Sequence, residues 1–289
     1  MFEKPSHLKT LIRADSSATI GHGHIRRDLV LASHFKDISF ACVRLNGDIF
    51  DEINYPKFEL ESSNIKYLIN LINEQKFKLL IIDHYGINAK DEKQIKEQTG
   101  VKILSFDDEY KEHFCDILLN VNTFADPQKY EALVPKECEI CCGENFMLVR
   151  DEFYKEREIK REKKFDFFIA FGGSDVMDLS FKTAQILLSK GHKIAVITTS
   201  ANPNLNALKE LAKKNSNLSL FINSKQIARL MNESHELIIS ASSFANEALV
   251  LGAKFSAVKV AQNQDEIYKW LVKKGFKAFS GEEICKKLA

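Results

Sequence analysis

The stretch of sequence that decides the fold is Arg13-Ala-Asp-Ser-Ser-Ala-Thr-Ile-Gly-His-Gly-His-Ile-Arg-Arg27. It follows an apolar run, Leu8–Ile12, and precedes a segment in which Ile25, Leu29 and Ala32 recur at helical spacing. A strand, a Gly-containing turn and a helix in this order build an anion site. The small residues let the backbone approach a ligand, and the start of the helix supplies free N–H groups and a positive dipole end.

An imidazole stands where this helix is expected to begin, at His24. A phosphate cradle needs no histidine there, so the sequence suggests that anion binding and proton transfer occur in one place. In a second interpretation Gly21 and Gly23 only shape a tight turn and His24 caps the helix. A dinucleotide fingerprint fits poorly, because its third glycine would fall at Arg26.

Length and charge bound the class of protein. The chain has 289 residues, which favours two domains, and we expect them at residues 1–150 and 151–289. The net charge of +1 argues against nucleic acid or an anionic membrane as the main partner. No secretory signal is recognisable, and no apolar run approaches the ~20 residues that span a bilayer. We therefore expect a cytoplasmic protein that acts as a monomer.

The cysteines favour reduced thiols over a disulfide framework. The segment Cys138-x-x-Cys141-Cys142 could be half of a zinc site, but no second Cys or His pair has matching spacing. We expect no metal there. The six positions are Cys42, Cys115, Cys138, Cys141, Cys142 and Cys285.

Short apolar runs alternate with helical patterns in the first half of the chain. The runs are continuous rather than alternating, as parallel strands buried on both faces require. The predicted strands are Leu8–Ile12, Ile38–Val43, Leu79–Asp83, Val101–Phe106 and Ile117–Val121. The predicted helices are His24–Phe35, Ile65–Glu74 and Lys90–Gln98.

The second half repeats this alternation after a highly charged segment, residues 151–164, which we expect to be a solvated helical connector. The predicted strands are Asp166–Phe171, Lys193–Thr198, Leu218–Ile222, Glu236–Ser240 and Phe255–Val260. The predicted helices are Asp178–Ser189, Asn204–Lys214, Lys225–Asn232, Ser243–Leu251 and Asp265–Lys274. The pattern predicts an α/β protein of two Rossmann-like, doubly wound domains facing each other across a cleft.

Two further turns carry the chemistry of an anion site in the second half. Gly172-Gly173-Ser174 follows a predicted strand with a helical pattern soon after, which suits a diphosphate. Ser242 and Ser243 lie in a second strand-turn-helix segment, and Glu247 stands one turn into its helix, where a carboxylate can take both hydroxyls of a ribose. Each could instead be an N-cap beside an ordinary surface acid.

Together these motifs resemble the glycosyltransferases of the GT-B fold, and more tightly a hydrolase family built on it. That family comprises the UDP-2,4-diacetamido-2,4,6-trideoxy-β-L-altropyranose hydrolases (PseG) of pseudaminic acid biosynthesis. The resemblance extends from Leu11 to about Leu271. The shared words are Arg13-x-Asp15-Ser-Ser, Gly21-x-Gly23-His24-Ile-x-Arg27, Leu80-Ile-Ile-Asp-His-Tyr-Gly86, Ser105-Phe-Asp-Asp108, Asp116-Ile-Leu-Leu-Asn-Val-Asn122, Gly172-Gly-Ser-Asp175, Ile238-Ile-Ser-Ala-Ser-Ser243 and Asn263-Gln264.

The resemblance implies an enzyme that removes UDP from this sugar nucleotide with water and inverts the anomeric centre. The freed sugar would then serve pseudaminic acid synthesis, and through it flagellin glycosylation. His24 is the expected general base, because an imidazole has a pKa near neutrality and can accept a proton from water. By match to the family, Tyr85 and Asn263 contact the sugar and Glu247 the ribose.

The remaining site residues have two interpretations. Gly23, Arg13 and Asp15 are expected to bind substrate, but Arg13, Asp15 and Arg27 could instead only stabilise the turn. The diphosphate would be held by the turn at 172–174, by Ser242 and by Ser243.

No cofactor and no metal are expected in this reaction. The chain has no Asp-x-Asp motif of metal-dependent transferases, although Asp83, Asp107 and Asp108 could be metal ligands in another protein. Backbone dipoles that hold a diphosphate would remove the need for Mg²⁺. A GT-B transferase and a catalytically silent UDP-sugar binding module remain as alternative functions.

Overall fold

The computed structural model describes residues 7–289. The chain divides into two compact units, the first ending at Leu148 and the second spanning Val149–Ala289. Each unit is a parallel β-sheet with helices on both faces. No helix among residues 7–289 is both long enough and apolar enough to cross a membrane.

The first unit holds a seven-stranded parallel sheet in the order β3-β2-β1-β4-β5-β6-β7. Its strands are β1 (Thr10–Ala14), β2 (Ile38–Cys42), β3 (Lys57–Glu59), β4 (Leu79–Asp83), β5 (Lys102–Phe106), β6 (Ile117–Asn120) and β7 (Glu139–Cys142). Its α-helices are α1 (Gly23–Ala32), α2 (Ile65–Gln75) and α3 (Ala89–Thr99).

The core of this unit lies on both faces of the sheet. Every residue of β1, β2 and β4 is buried, as the continuous apolar runs predicted. The chain runs from β1 outward to β3 and then crosses back to β4, so the strand order reverses between β1 and β4. Ligands of open α/β sheets bind at the carboxyl ends of the strands where such a reversal occurs.

The second unit holds a six-stranded parallel sheet in the order β10-β9-β8-β11-β12-β13. Its strands are β8 (Phe165–Ala170), β9 (Ile194–Thr198), β10 (Leu218–Ile222), β11 (Ser234–Ser240), β12 (Phe255–Lys259) and β13 (Lys277–Ser280). Its helices are α4 (Asp151–Arg157), α5 (Leu179–Ser189), α6 (Leu205–Lys214), α7 (Ile227–Asn232), α8 (Ser243–Leu251), α9 (Asp265–Lys273) and α10 (Glu283–Leu288). The strand order here reverses between β8 and β11.

The structure confirms the predicted alternation and adds four elements that the sequence pattern did not show. Strands β3, β7 and β13 and helix α10 are short, and the three strands lie at or next to a sheet edge, where one apolar face is enough. The expected helical connector is only partly helical, since α4 ends at Arg157. Arg161 and Lys164 then pair with Glu156 and Glu233, so ion pairs rather than helix hold the rest of the segment.

Candidate active site

Three neighbouring strands of the first unit end at one group of polar side chains. His24 follows β1, Tyr85 follows β4 and Asp108 follows β5, and these strands are adjacent in the order β1-β4-β5. Because the strands are parallel, the segments that follow them meet at the carboxyl edge of the sheet. The structure thus brings together residues that are about 60 to 80 positions apart in sequence.

The loop between β1 and α1 closes on itself before the helix begins. Ser17 and Gly21 exchange two backbone hydrogen bonds, of 2.9 and 3.3 Å, and Gly21 has a φ of +81°, which favours glycine. The helix then starts at Gly23, where an added Cβ would meet nothing within 4 Å. The N–H groups of Gly23, His24 and Ile25 bond to no acceptor among the described residues, so this helix start is open to a ligand.

His24 is the second residue of α1, not its N-cap, which is His22. Its side chain is only 13% exposed, and Nδ1 lies 3.9 Å from Oδ1 of Asp83. The ring packs edge-on against Tyr85 with 4.7 Å between ring centroids. Burial lowers the pKa of His24, against the opposite effect of the Asp83 charge, so a neutral imidazole is favoured.

Arg27 ties the strand ends together. Its Nε and Nη2 donate to the two carboxylate oxygens of Asp83 at 2.6 and 2.5 Å, and Nη1 donates to Asp108 at 3.3 Å. The guanidinium also lies over the ring of Phe106, 4.9 Å from its centroid. Burial alone would lower the pKa of Arg27, but the bond to Asp83 raises it. Arg27 therefore stays charged and neutralises most of the carboxylate charge beside His24.

Tyr85 presents a fixed phenol to solvent. The residue is 59% exposed, and its hydroxyl donates to Oδ2 of Asp108 at 3.1 Å. Burial of the oxygen and the neighbouring Asp108 charge raise the pKa of Tyr85 to about 12. The hydroxyl proton is thus held by Asp108, and the phenol oxygen is left as an acceptor for a ligand.

Arg13 and Asp15 lie beneath this surface. They are 1% and 2% exposed and form a bidentate ion pair of 2.5 and 2.8 Å. Asp15 also accepts from the N–H of Val43 and contacts Nε2 of His84 at 3.0 Å. Of the two interpretations of Arg13 and Asp15, this buried ion pair favours the one in which they stabilise the turn, and substrate contact by either residue stays a prediction.

The Asp15 contact orients the segment that carries Tyr85. Nδ1 of His84 accepts from the N–H of Gly86 at 3.1 Å, so the ring proton lies on Nε2 and points to Asp15. His84 is a residue that the sequence analysis passed over. The sequence feature that could have identified His84 is the order Asp-His-Tyr-Gly at the end of a buried strand.

His22, for which the sequence offered no role, contacts the neighbouring loop. Its Nε2 lies 3.0 Å from the carbonyl oxygen of Gly47, to which it donates. Gly47 approaches Ala18 so closely that an added Cβ would lie 2.9 Å from the Ala18 Cβ. We infer that His22 helps to fix the approach of these two loops.

Asp107 is engaged in a separate buried network. Burial by itself would raise its pKa, but contacts with His113 and Tyr130 lower the pKa to about 2. Tyr130 donates to it at 2.6 Å. His113 lies between Asp107 and the fully buried Glu92; its hydrogen bond to Glu92 and the negative charges of both carboxylates raise its pKa to about 9 against the effect of burial. This network holds the loop that carries Asp108.

In the second unit the predicted diphosphate turns also follow neighbouring strands. Gly172–Ser174 follow β8, Ser242 and Ser243 follow β11, and Asn263 follows β12. Asn263 is exposed in a short 3₁₀-turn, Gln262–Gln264. All of them lie at the carboxyl edge of this sheet.

The helix predicted at Asp178–Ser189 is present, but four residues separate it from the Gly-Gly-Ser turn. Helix α5 begins five residues after Ser174, and the N–H groups of its first residues, Leu179 and Ser180, donate to the carboxylate of Asp175. That helix start is therefore already satisfied by an internal anion. The N–H groups of 172–174 bond to no acceptor among the described residues, so the turn itself keeps donors for a ligand.

Helix α8 has the opposite arrangement. Ser242 precedes it without a side-chain cap, and its hydroxyl bonds to that of Ser240 at 2.8 Å. The N–H groups of Ser243 and Phe244 find no acceptor within residues 7–289. Because nine residues of helix follow, their dipole favours an anion at this position.

Glu247 lies one turn into α8 and is 8% exposed. Its Oε1 accepts from Nη2 of Arg150 at 3.0 Å, while Oε2 has no partner in the described part of the chain. Burial raises the pKa of Glu247 to about 7 in spite of Arg150. The free oxygen is an acceptor that a pair of ligand hydroxyls would satisfy. Arg150 itself was not predicted, because it falls at the expected domain boundary.

Comparison with known proteins decides the family. A curated hydrolase of Campylobacter jejuni, named UDP-2,4-diacetamido-2,4,6-trideoxy-β-L-altropyranose hydrolase, is 56% identical over 269 residues, which cover 93% of this chain and 98% of that protein. The chain belongs to this hydrolase family. The spore coat polysaccharide biosynthesis protein SpsG of Bacillus subtilis is 23% identical over 91% of this chain and 81% of its own length. No protein-family model matches the chain.

Comparison with solved structures shows the fold of this chain. MurG of Acinetobacter baumannii matches with a TM-score of 0.62 at 14% identity, covering 97% of this chain and 89% of that chain. A glycosyltransferase of Rickettsia africae matches with a TM-score of 0.55 at 12% identity over 98% of this chain and 87% of that chain. The expected GT-B fold is confirmed.

Residues of both units that the family resemblance singled out thus lie at sheet edges suited to ligands. His24 and Tyr85 are in contact, and Ser243 and Glu247 share one helix. Among residues 7–289 no group of three or more acidic, His or Cys side chains is arranged to hold a metal ion.

Proposed function

We propose that this protein hydrolyses UDP-2,4-diacetamido-2,4,6-trideoxy-β-L-altropyranose, releasing UDP and the free sugar with inversion at the anomeric carbon. The likeness to the Campylobacter jejuni hydrolase over nearly the whole chain supports the substrate. The observation that carries the chemistry is His24: a shielded imidazole of lowered pKa beside a carboxylate that is already paired with Arg27.

In the proposed step a water molecule attacks C1 from the face opposite the diphosphate. The bond from the water oxygen to C1 forms while the bond from C1 to the diphosphate oxygen breaks, and UDP leaves with the electron pair. His24 takes the proton of the attacking water and becomes an imidazolium. Asp83, 3.9 Å from Nδ1, stabilises that positive charge as it develops.

Sugar binding is assigned to Gly23, Tyr85 and Asn263. Gly23 leaves open space at the start of α1, and the exposed phenol of Tyr85 can accept a hydroxyl or amide proton of the sugar. Asn263 is an exposed amide that can donate and accept. These roles are supported by the match to the family's sequence motifs and by the hydrogen-bonding groups that the three residues leave unused.

UDP is assigned to the second unit. The free N–H groups at 172–174 and at the start of α8, with the hydroxyls of Ser242 and Ser243, suit the diphosphate. The unpartnered oxygen of Glu247 suits a ribose hydroxyl. A buried carboxylate held by one arginine is preorganised for this contact, because its other oxygen is already stripped of water.

We propose that no metal or other cofactor takes part. The acidic residues that could have bound a metal already have other partners: Asp83 bonds to Arg27, and Asp107 to Tyr130 and His113. Added EDTA should leave the rate unchanged. Loss of activity with EDTA and recovery with Mg²⁺ or Mn²⁺ would contradict this part of the proposal.

The biological setting follows the same proposal. The product would feed pseudaminic acid synthesis for flagellin glycosylation, in the cytoplasm. The near-neutral net charge of +1 argues against nucleic-acid or membrane partners, and we propose that the protein acts as a monomer. Sedimentation of the purified protein at several concentrations tests the monomer.

A glycosyltransferase is the competing function, because the solved structures that share the fold include a glycosyltransferase of Rickettsia africae. An assay in buffer without an acceptor distinguishes the two functions. Purified protein is incubated with a panel of UDP-sugars and no acceptor, and UDP release is scored. We expect UDP release from the altropyranose derivative without an acceptor. UDP release only after an acceptor is added would contradict the proposed hydrolysis. Binding of the UDP-sugar with no release of UDP would contradict it as well.

A further inference from the structure

Two cysteine side chains of the first unit lie in contact, and nothing in the proposed reaction uses them. The Sγ atoms of Cys115 and Cys138 are 3.6 Å apart, although 23 positions separate the two residues in sequence. Both thiols are free. Sulfur atoms at this distance touch without a covalent bond, which would bring them to about 2.05 Å. The pair is therefore reduced and already has its two reacting atoms side by side.

The backbones of the two residues are held next to each other. Cys115 stands just before β6 and Cys138 just before β7. These two strands are neighbours in the sheet, and the N–H of Glu139 donates to the carbonyl of Asp116 at 2.9 Å. Neighbouring strands lie about 4.8 Å apart, within the Cα separation of about 4.4–6.8 Å that a disulfide spans. A disulfide here needs side-chain rotation and little movement of the backbone.

The two thiols differ in exposure, which assigns them different roles. Cys115 is buried at 2% exposure, whereas Cys138 is partly exposed. The contact with Cys115 lowers the pKa of Cys138, and the same contact raises the pKa of Cys115. A small reagent can therefore reach Cys138 first, and the thiolate that attacks such a reagent forms there more readily. Cys115 can react only with a sulfur that is already bound to Cys138.

We propose that Cys115 and Cys138 form a redox modification site, in which a small disulfide such as oxidised glutathione converts the two thiols into a reversible disulfide that fastens the edge strand β7 to the sheet. Strand β7 is the last in the sheet order and has four residues. Edge strands are bonded on one side only, so a covalent link just before β7 adds what its hydrogen bonds lack. The site lies at the amino edge of the sheet, away from the carboxyl edge that carries His24.

The chemistry is two successive thiol–disulfide exchanges. The Cys138 thiolate attacks one sulfur of the small disulfide; a new S–S bond forms, the old one breaks, and one small thiolate leaves with the electron pair and takes up the proton that Cys138 had released. The Cys115 sulfur then attacks Sγ of Cys138 and gives up its proton, and the second small thiolate leaves with the electron pair and takes that proton. Two protein thiols have lost two electrons, and the small disulfide has gained them as two small thiols.

The first test uses 5,5′-dithiobis(2-nitrobenzoate), a small disulfide whose leaving thiolate is coloured. Cys142→Ser combined with Cys285→Ser removes the other partly exposed thiols and serves as the background. In this background each chain should release two coloured thiolates and keep none bound, because Cys115 displaces the second one from Cys138.

Variants of the pair separate the two roles. Cys115→Ser in this background should release one thiolate and keep one bound on Cys138, and Cys138→Ser should release none in the same time. Cys42→Ser, which removes another buried thiol, is the matched control and should behave as the background does. Absorbance counts the released thiolate, and the mass of the intact protein counts what stays bound. A thiolate that remains bound in the background, or no release from it, would overturn the proposal.

A second measurement needs no substitution. Wild type treated with oxidised glutathione is alkylated, digested with trypsin and analysed by mass spectrometry. Peptides 112–129 and 137–150 should be joined, and dithiothreitol should separate them again. Fragmentation should place the link between Cys115 and Cys138. A link to another cysteine of peptide 137–150, or a glutathione that remains on Cys138, would contradict the assignment.

The fastening of β7 is measured by amide hydrogen exchange of wild type before and after oxidation. The amides of Glu139–Cys142 should exchange about tenfold more slowly in the oxidised protein, because the edge strand opens less often. Strand β13 (Lys277–Ser280), at the edge of the other sheet, is the control and should exchange at the same rate in both states. Unchanged exchange in β7 would contradict the fastening. None of these measurements uses a substrate, so their outcome is independent of the proposed hydrolysis.

Discussion

The start of a helix is open at both sheet edges, but the edges differ in how their polar side chains are satisfied. At the edge of the first unit, Arg27, Asp83, Asp108 and Tyr85 are bonded to one another, and His24 is held among them. At the edge of the second unit, donors at 172–174 and at the start of α8 are open, and one oxygen of Glu247 has no partner. A network that satisfies itself fixes the geometry of a reacting group, whereas open donors bind a ligand that supplies the missing acceptors.

The largest effect expected from this difference lies at His24. His24→Asn should lower turnover by roughly 10²–10⁴-fold, the usual contribution of a positioned base, and should leave UDP binding nearly unchanged. His22→Asn is the matched control, because its ring bonds to the carbonyl of Gly47 rather than to the group around His24. Steady-state rates and UDP titrations check both variants. Near wild-type turnover in His24→Asn would remove His24 from the mechanism.

The next effect is on stability and concerns Arg27. Arg27→Met leaves the buried Asp83 without its partner and should lower the free energy of unfolding by roughly 3 kcal/mol. The neighbouring Arg26 is the control: its side chain is 63% exposed and 3.5 Å from Glu52, so Arg26→Met should change stability by less than about 1 kcal/mol. Urea unfolding measures both. Similar losses in the two variants would mean that the first edge is not a buried network.

Glu247 tests the second edge. Glu247→Ala should weaken UDP binding by about 1.5–3 kcal/mol, the range for hydrogen bonds to a charged group. Glu152→Gln, which removes the other carboxylate on Arg150, is the control and should leave binding nearly unchanged. Calorimetry at pH 8 measures both. An unchanged dissociation constant in Glu247→Ala would place the ribose elsewhere.

The pKa of Glu247 gives this binding a pH dependence. At about 7 it lies where the carboxylate begins to protonate, and a protonated oxygen accepts less well from a ribose hydroxyl. UDP binding should therefore weaken as pH falls from 8 to 6 in wild type and depend less on pH in Glu247→Ala.

The smallest expected effect is the pH dependence of stability from His113. Its folded pKa of about 9 exceeds the ordinary value of 6.5, so its contribution is fully present below pH 6.5 and is lost as pH rises through 9. The urea midpoint of wild type should fall over that window, and that of His113→Gln should fall less. Parallel curves for the two proteins would contradict a charged His113 in the first unit.

The sequence predicted the sheets well because buried parallel strands are continuous apolar runs. Leu79–Asp83, buried at every position, was predicted to the residue. Half-exposed edge strands such as Lys277–Ser280 carry no such run. The family's sequence motifs led to His24, Tyr85 and Glu247, but the spacing of these residues did not show which side chains they would bond to. Asp175 bonding to the start of α5, and Arg150 bonding to Glu247, depend on side-chain contacts made only in the folded chain.

The central claim is that water held by His24 attacks carbon rather than phosphorus. Hydrolysis in ¹⁸O-labelled water, followed by mass spectrometry of both products, tests it most directly. We predict the label in the released sugar, none in UDP, and an inverted anomer in the first NMR spectra. Label in the phosphate of UDP would contradict it, since the attacking water would then be held at phosphorus and the neutral imidazole of His24 would have no part in the reaction.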